Sequence, residues 1–248
     1  MQSNKNLKLM KKSILLLLLL SLTIGNAQKF KKIKGNQKIV SITRTTAEYE
    51  KISVSGSFDV KLVAGKEGEI TIKGDENLLE FIKTEVNNNT LSVAFEKGKS
   101  IQYDYNSSIE ITIPFEAINQ LTFSGSGNLS TTATLNSENL DVLVSGSGNV
   151  KFESATTNLK ITKSGSGNLN SKGKTTNLEI ISSGSGNANL SDLLSLNAVA
   201  TQSGSGNIKL NCTSSLKATT VGSGNINYKG KPEKINKNST GSGSITEN

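Results

Sequence analysis

The chain has 248 residues, with 28 Lys and Arg against 20 Asp and Glu and a formal net charge of +8. It contains no His, no Trp and a single Cys, and only 4% of its residues are aromatic. This composition withholds the commonest general base and metal ligand and allows no internal disulfide, so packing and backbone hydrogen bonds must hold the fold.

Residues 1–27 have the layout of a cleavable export signal. Lys5, Lys8, Lys11 and Lys12 precede an apolar run from Ile14 to Leu20, extended by Leu22 and Ile24. Gly25-Asn26-Ala27 then offers a small-residue cleavage site before Gln28. The run is shorter than the roughly 20 residues of a membrane-spanning helix. Without its four lysines the mature chain carries 24 basic and 20 acidic side chains, or +4. No basic stripe with interleaved aromatics occurs, which points away from nucleic acid. The expected destination is the periplasm, the cell surface or the medium, with no integral membrane segment after cleavage.

A lead-in, 28–48, is followed by a β-rich front half, 49–120, without a clean period. KIVSITR, YEKISV, FDVKLVAG, EITIK, TLSVAF and IEITIPF read as strands separated by turn signals such as Gly65 to Gly68 and Asn87 to Asn89. Within GDENLLEFIKTEV, Asp75 is placed to cap one short helix over Leu78 to Lys83. The front half is expected to be the irregular start of whatever follows it, or a small sheet packed on its end.

From residue 121 to 248 a single motif governs the chain. SGSGN occurs at 124–128, 145–149, 164–168, 183–187 and 203–207, followed by GSGN at 222–225 and GSG at 241–243. The first glycines, 125, 146, 165, 184, 204, 222 and 241, are separated by 21, 19, 19, 20, 18 and 19 residues. Flexible linkers do not recur on such a ruler. Six and four residues before the first Gly stand apolar pairs: Leu140 and Val142, Leu159 and Ile161, Leu178 and Ile180, Ala198 and Ala200, Leu216 and Ala218. Four residues after it come Leu129, Val150, Leu169, Ala188, Ile208, Ile226 and Ile245.

Period-two alternation on both sides of a glycine corner predicts two short strands per unit. Such a unit cannot bury its apolar face alone, and stacked units can. The predicted fold is all-β, a right-handed parallel β-helix with coils of about 19 residues. Strands spaced about 4.8 Å apart make the repeat region a rod on the order of 30 Å long.

In this architecture the glycines supply the sharp turn of each coil, where φ > 0 is needed. Asn128, Asn149, Asn168, Asn187, Asn207 and Asn225 are expected to tolerate the left-handed region and to bond one another along the axis. The serine hydroxyls are expected to serve backbone groups left unpaired by the turn. Cys212 is expected to be a small buried residue. The C-terminal stretch, with Lys229, Lys231, Lys234, Lys237 and Pro232, has the polar character that stops edge-to-edge growth of an open stack. Residues 49–248 are expected to form one continuous domain.

VSGSFDVKLVAG (54–65), GDENLLEFIKTEVNNNTLSV (74–93) and IEITIPFEAINQLTFSGSGNL (109–129), followed by serial SGSGN corners, resemble the head GIN domain family. Its members are secreted envelope proteins named as autotransporter adhesins. The resemblance runs from about Lys38 to the C-terminus. It implies a β-helical fold and an exported location, and it carries over no catalytic residues.

Three chemistries fit poorly. A phosphate loop needs Lys and Ser or Thr after its last Gly, whereas Asn and a strand follow here. Calcium-binding solenoids place carboxylates in the turn, whereas these corners carry neutral Asn. Glycoside cleavage needs two facing carboxylates. The acids of the repeat region, Glu138, Asp141, Glu153, Glu179 and Asp192, sit at different places within their coils, and the front-half acids Asp59, Asp75, Glu76, Glu80, Glu85 and Asp104 have no period.

No enzyme and no cofactor are therefore expected. The candidate contact surface is the corner itself, a ribbon of Ser126, Ser147, Ser166, Ser185 and Ser205 with Asn149, Asn168, Asn187 and Asn207. Its expected partner is a glycan or another cell-surface component, with Tyr103 and Tyr105 as a possible aromatic contact. A structural or adhesive envelope role follows, with a periplasmic glycan-binding module or a polysaccharide-active enzyme as the alternatives.

Overall fold

The computed structural model describes residues 32–102 and 108–248. The export signal, the cleavage site after Ala27, Asp104, Tyr103 and Tyr105 lie outside the described residues. The chain forms β1 (Lys32–Lys34), β2 (Ile39–Thr45), β3 (Lys51–Ser55), β4 (Phe58–Ala64) and β5 (Glu69–Asp75), then a short helix α1 (Glu76–Leu79). β6 (Ile82–Asn87), β7 (Thr90–Phe95), β8 (Ser100–Gln102), β9 (Ile109–Phe115) and β10 (Gln120–Gly125) complete the front half. The repeats supply β11 (Asn128–Gly146), β12 (Asn149–Gly165), β13 (Leu169–Gly184), β14 (Ala188–Gly204), β15 (Ile208–Gly222), β16 (Ile226–Lys229), β17 (Lys234–Gly241) and β18 (Ile245–Glu247).

From β10 to β18 all neighbouring strands pair in parallel, giving a β-solenoid of about seven turns with a coil spacing of about 19 residues. The register stacks like on like. Leu140, Leu159, Leu178, Ala198 and Leu216 form one inward column, and Val142, Ile161, Ile180, Ala200 and Ala218 form the next. All ten are buried. Each fully buried Leu, Ile or Val contributes roughly 1.5–3 kcal/mol of transfer free energy. Columns like these are the source of stability in a fold with few aromatics.

The unequal coil lengths are absorbed away from the glycine corner. Register shifts fall between Ser130 and Thr134, between Asn170 and Lys172, and between Leu190 and Leu194, with one more between Ser195 and Asn197. The inward set also changes phase between Ser154 and Leu159, where the chain bends again. Insertions are therefore accommodated at bends of variable width while the corner row stays in step.

The front half is both an extension of the solenoid and a cap on it. Ser55 pairs with Ser124 and Asp59 with Asn128, so VSGSFDV is itself a corner of the same register. Outside β3 and β4 lie β7 and β9, both parallel to them. The rungs thus stack out of chain order, because the chain runs out to β7 and β9 before returning to β10. Antiparallel strands close the edge: β6 pairs with β7, β5 with β9, and β2 with β5. Part of the expected lead-in, Ile39–Thr45, therefore belongs to this cap.

Two local expectations fail here. α1 is one turn, Glu76–Leu79, and the segment expected to continue it to Lys83 instead enters β6. Asp75 makes no side-chain cap bond. Its carboxylate is buried and accepts from the Gln37 backbone N–H, tying the lead-in to the cap. Cap pairing to β7 outweighs the weak helical preference of a single turn. The lone Arg44 secures the other end of that turn. Its guanidinium donates to the carbonyl oxygens of Leu79 (2.7 Å) and Ile82.

At the opposite end β17 carries no buried residue. Ile235 continues the leucine column yet is 44% exposed, with no further coil packed on it among the described residues. Cys212 is buried as expected, with its Sγ donating to the Leu196 and Ser215 carbonyls at 3.2 and 3.1 Å.

Candidate functional site

The glycine corner is built by backbone stacking. The Gly146 carbonyl accepts from the N–H groups of Ser166 and Gly167 at 3.0 and 3.1 Å, and Gly125 and Gly204 serve the coils above them in the same way. The two glycines of each GSG are required for different reasons. Gly165 has φ +97°, a conformation that side chains with a Cβ rarely adopt. Gly167 does not have a positive φ, but a Cβ there would lie 1.9 Å from the Gly148 oxygen.

The corner asparagines are not in the left-handed region, contrary to expectation; among the described residues the non-Gly positions with positive φ are Gln37, Asn88, Asn89 and Lys231. The glycines make the turn, and the asparagines lead into the next strand or open it. The axial ladder does form. Nδ2 of Asn149 donates to Oδ1 of Asn128 at 3.1 Å, Asn168 to Asn149 at 3.2 Å, and Asn207 to Asn187 and Asn225 to Asn207 at 3.0 Å. Asp59 accepts from Asn128 at one end, and at the other Ser244 donates to Asn225. Asn187 joins through its backbone N–H to Asn168 Oδ1 at 3.0 Å.

The apical serines behave differently. Ser126, Ser147, Ser166, Ser185 and Ser205 are all exposed, and so are Ser223 and Ser242. Among the described residues their hydroxyls have no hydrogen-bond partner, so the expected service to the turn backbone is not performed there. The Asn row spends much of its bonding capacity along the axis, while the Ser row remains open to solvent. Beside them Asn187, Asn189, Asn207, Lys209 and Asn227 line a shallow depression of about 480 Å³.

A second ladder lies on a different bend. Asn158 donates to Asn139 and Asn177 to Asn158, each at 2.8 Å, Asn197 donates to Asn177 at 3.0 Å, and Ser215 Oγ to Asn197 at 2.8 Å. These asparagines stand seven residues before the first Gly of their coils, each followed by Leu or, at Asn197, by Ala, so a constant offset marked them in the sequence. Beside this ladder runs a trough of about 890 Å³, with Asp141, Lys160 and Glu179 stacked in one column on its other wall. Asp141 and Glu179 thus share one place in their coils, contrary to the expectation that the repeat acids sit at different places. Lys160 and Glu179 pair at 3.7 Å on the exposed surface.

Several acids of the front half are occupied structurally. Glu76 pairs with Lys38 at 2.7 Å, Glu110 with Lys73 at 3.4 Å, and Asp59 anchors the Asn ladder. In the repeats a hydrogen bond from Lys172 lowers the Glu153 carboxyl below its ordinary range. Among the described residues no group of three or more His, Cys, Asp or Glu side chains is arranged to hold a metal ion. No helix of the described residues is long and apolar enough to cross a membrane.

The family model described as "Putative auto-transporter adhesin, head GIN domain" matches residues 48–232. No curated protein matches the chain. Among solved structures, a "putative adhesin" from Bacteroides fragilis NCTC 9343 is 26% identical, with a TM-score of 0.82 over 87% of this chain and 100% of that one. A "putative lipid binding protein" from Parabacteroides distasonis ATCC 8503 is also 26% identical, with a TM-score of 0.72 over 88% of this chain and 100% of that one. A "putative adhesin" from Parabacteroides merdae ATCC 43184 shares the fold at 24% identity and a TM-score of 0.72, over 88% and 99% of the two chains.

Proposed function

We propose, from the premise that this chain belongs to the head GIN domain family, that it is an exported, non-catalytic β-solenoid with an adhesive role in the cell envelope. The observation that carries this is the row of exposed apical serines, from Ser126 to Ser242, whose hydroxyls have no hydrogen-bond partner among the described residues. An array repeating at about 4.8 Å suits many weak contacts to a surface better than one tight contact to a small molecule. The description of one similar structure as an adhesin supports the role. The front-half acids engaged in ladders and ion pairs favour a non-catalytic molecule. Export rests on the signal-like residues 1–27, and an intact mass beginning at Gln28 in the exported protein is the expected result.

The test is the triple variant Ser166→Lys, Ser185→Lys, Ser205→Lys. Neighbouring ammoniums about 4.8 Å apart repel by roughly 1 kcal/mol per pair in water, which a stable coil tolerates. Binding of the purified protein to whole cells and to extracellular matrix is expected to fall while circular dichroism stays β-rich. Unchanged binding with an intact fold would rule the ribbon out as the contact surface.

A further inference from the structure

The trough beside the second Asn ladder is a site of its own, and we infer that it binds a linear, uncharged polysaccharide lying parallel to the solenoid axis, about one sugar unit per coil. This deepens the adhesive role by naming a partner, and it places that partner on a different bend from the serine ribbon.

The shape follows from strand geometry. Asn139 and Asp141 point outward on either side of the buried Leu140, and the same holds for Asn158 and Lys160 about Leu159, and for Asn177 and Glu179 about Leu178. Stacked in register, these pairs become two parallel ridges with the leucine backbone as the floor between them. The trough crosses the coils of Gln120, Asp141, Lys160, Glu179 and Val199. Four steps of about 4.8 Å make it roughly 19 Å long.

The chemistry of each rung is that of hydroxyl recognition. A side-chain amide carries two N–H donors and a carbonyl oxygen with two lone pairs. The ladder uses one donor and one lone pair of each interior Asn, leaving one of each per rung. Opposite them, Asp141 and Glu179 accept from hydroxyls and Lys160 donates to them. Adjacent hydroxyls of a sugar ring need such a mixed set of donors and acceptors. At the far end Val199, 45% exposed, offers an apolar patch for a C–H face.

Charge and period select among polymers. Lys51 and Lys160 stand against Glu138, Asp141 and Glu179 around the trough, so the charges nearly cancel. A polyanion finds no attractive field there, and neither does a polycation. An extended peptide advances about 3.3 Å per residue and falls out of step with rungs about 4.8 Å apart. A pyranose unit linked through opposite sides of its ring is close to one rung in length. Without aromatic stacking the contact at each rung is weak, so affinity must accumulate along the chain.

The experiment is calorimetric titration of the purified mature protein with β-1,4-glucan, β-1,4-xylan and β-1,4-mannan oligosaccharides, from disaccharide to octasaccharide, and with oligogalacturonates as anionic controls. For at least one neutral series, affinity is expected to rise with length and level off at about four or five units. Oligogalacturonates of equal length should bind at least about tenfold more weakly. The double variant Asp141→Ala, Glu179→Ala should lower affinity by about tenfold or more without moving the melting midpoint substantially. Val199→Trp, which fills one end at an exposed position, should shorten the plateau length. Lys151→Ala, at an exposed strand position outside the trough, should leave these titrations unchanged. Failure of every neutral series to bind, binding without length dependence, a preference for the anionic series, or wild-type affinity in both trough variants would overturn the trough site.

Discussion

The Nζ of Lys237 lies 4.6 Å from the centroid of the Tyr228 ring, covering the last large aromatic side chain of the core. Lys237 occupies the column of Val142, Ile161, Ile180, Ala200 and Ala218, where an apolar residue would continue the stack. A cation over an aromatic face is worth about 0.5–1 kcal/mol at an exposed site. Its larger effect is to make the terminal rung unattractive to another β-edge. Lys237→Ile is therefore expected to give concentration-dependent association in sedimentation velocity that the parent protein does not show. Identical sedimentation of the two proteins would remove this role from Lys237.

Gly165→Ala and Gly167→Ala should both destabilise by about 1–3 kcal/mol, the first through its φ of +97° and the second through contact with the Gly148 oxygen. Ser166→Ala, between them and exposed, should stay within about 0.5 kcal/mol of the parent. Urea midpoints measure all three. Equal midpoints for the serine and glycine variants would contradict the corner geometry.

Lys163 points into the core between Val144 and Ser182, is buried, and has no partner for its Nζ among the described residues. Burial lowers its pKa from the ordinary lysine value. Between the folded and unfolded pKa values the unfolded chain binds the extra proton, so stability should rise with pH through that window. Below the folded pKa the full penalty applies. Lys163→Met should flatten this rise, and at neutral pH it should stabilise by about 1–3 kcal/mol. Parallel pH profiles for parent and variant would show that Lys163 escapes to solvent.

Arg44→Met removes the guanidinium that holds the Leu79 and Ile82 carbonyls. Bonds to a charged donor are worth about 1.5–3 kcal/mol, and a loss of that order is expected in urea unfolding. Amide exchange should quicken first in β6 and α1 of the cap. We propose that residues 49–248 unfold as one unit, so far-UV and tyrosine signals should still coincide in the variant; separated transitions would show an independent cap.

The repeat region was legible because a solenoid converts sequence offset into spatial contact. Positions 19 or so residues apart become neighbours, so Leu159 over Leu140 and Asn168 over Asn149 can be read from spacing alone. Lys163 was legible in principle, since alternation places it inward two residues beyond Ile161, although a lysine there contradicts the usual cost of burying charge. The rest was decided by pairings between segments far apart in the chain, which leave no period. Nothing local states that β7 and β9 stack outside β3 and β4, or that Ile82–Asn87 pairs with β7 instead of extending a helix. The trough is of the same kind. Asn158 and Lys160 are ordinary polar residues in the sequence, and they become facing walls only when the bend at that row and the stacking of five coils hold them in line.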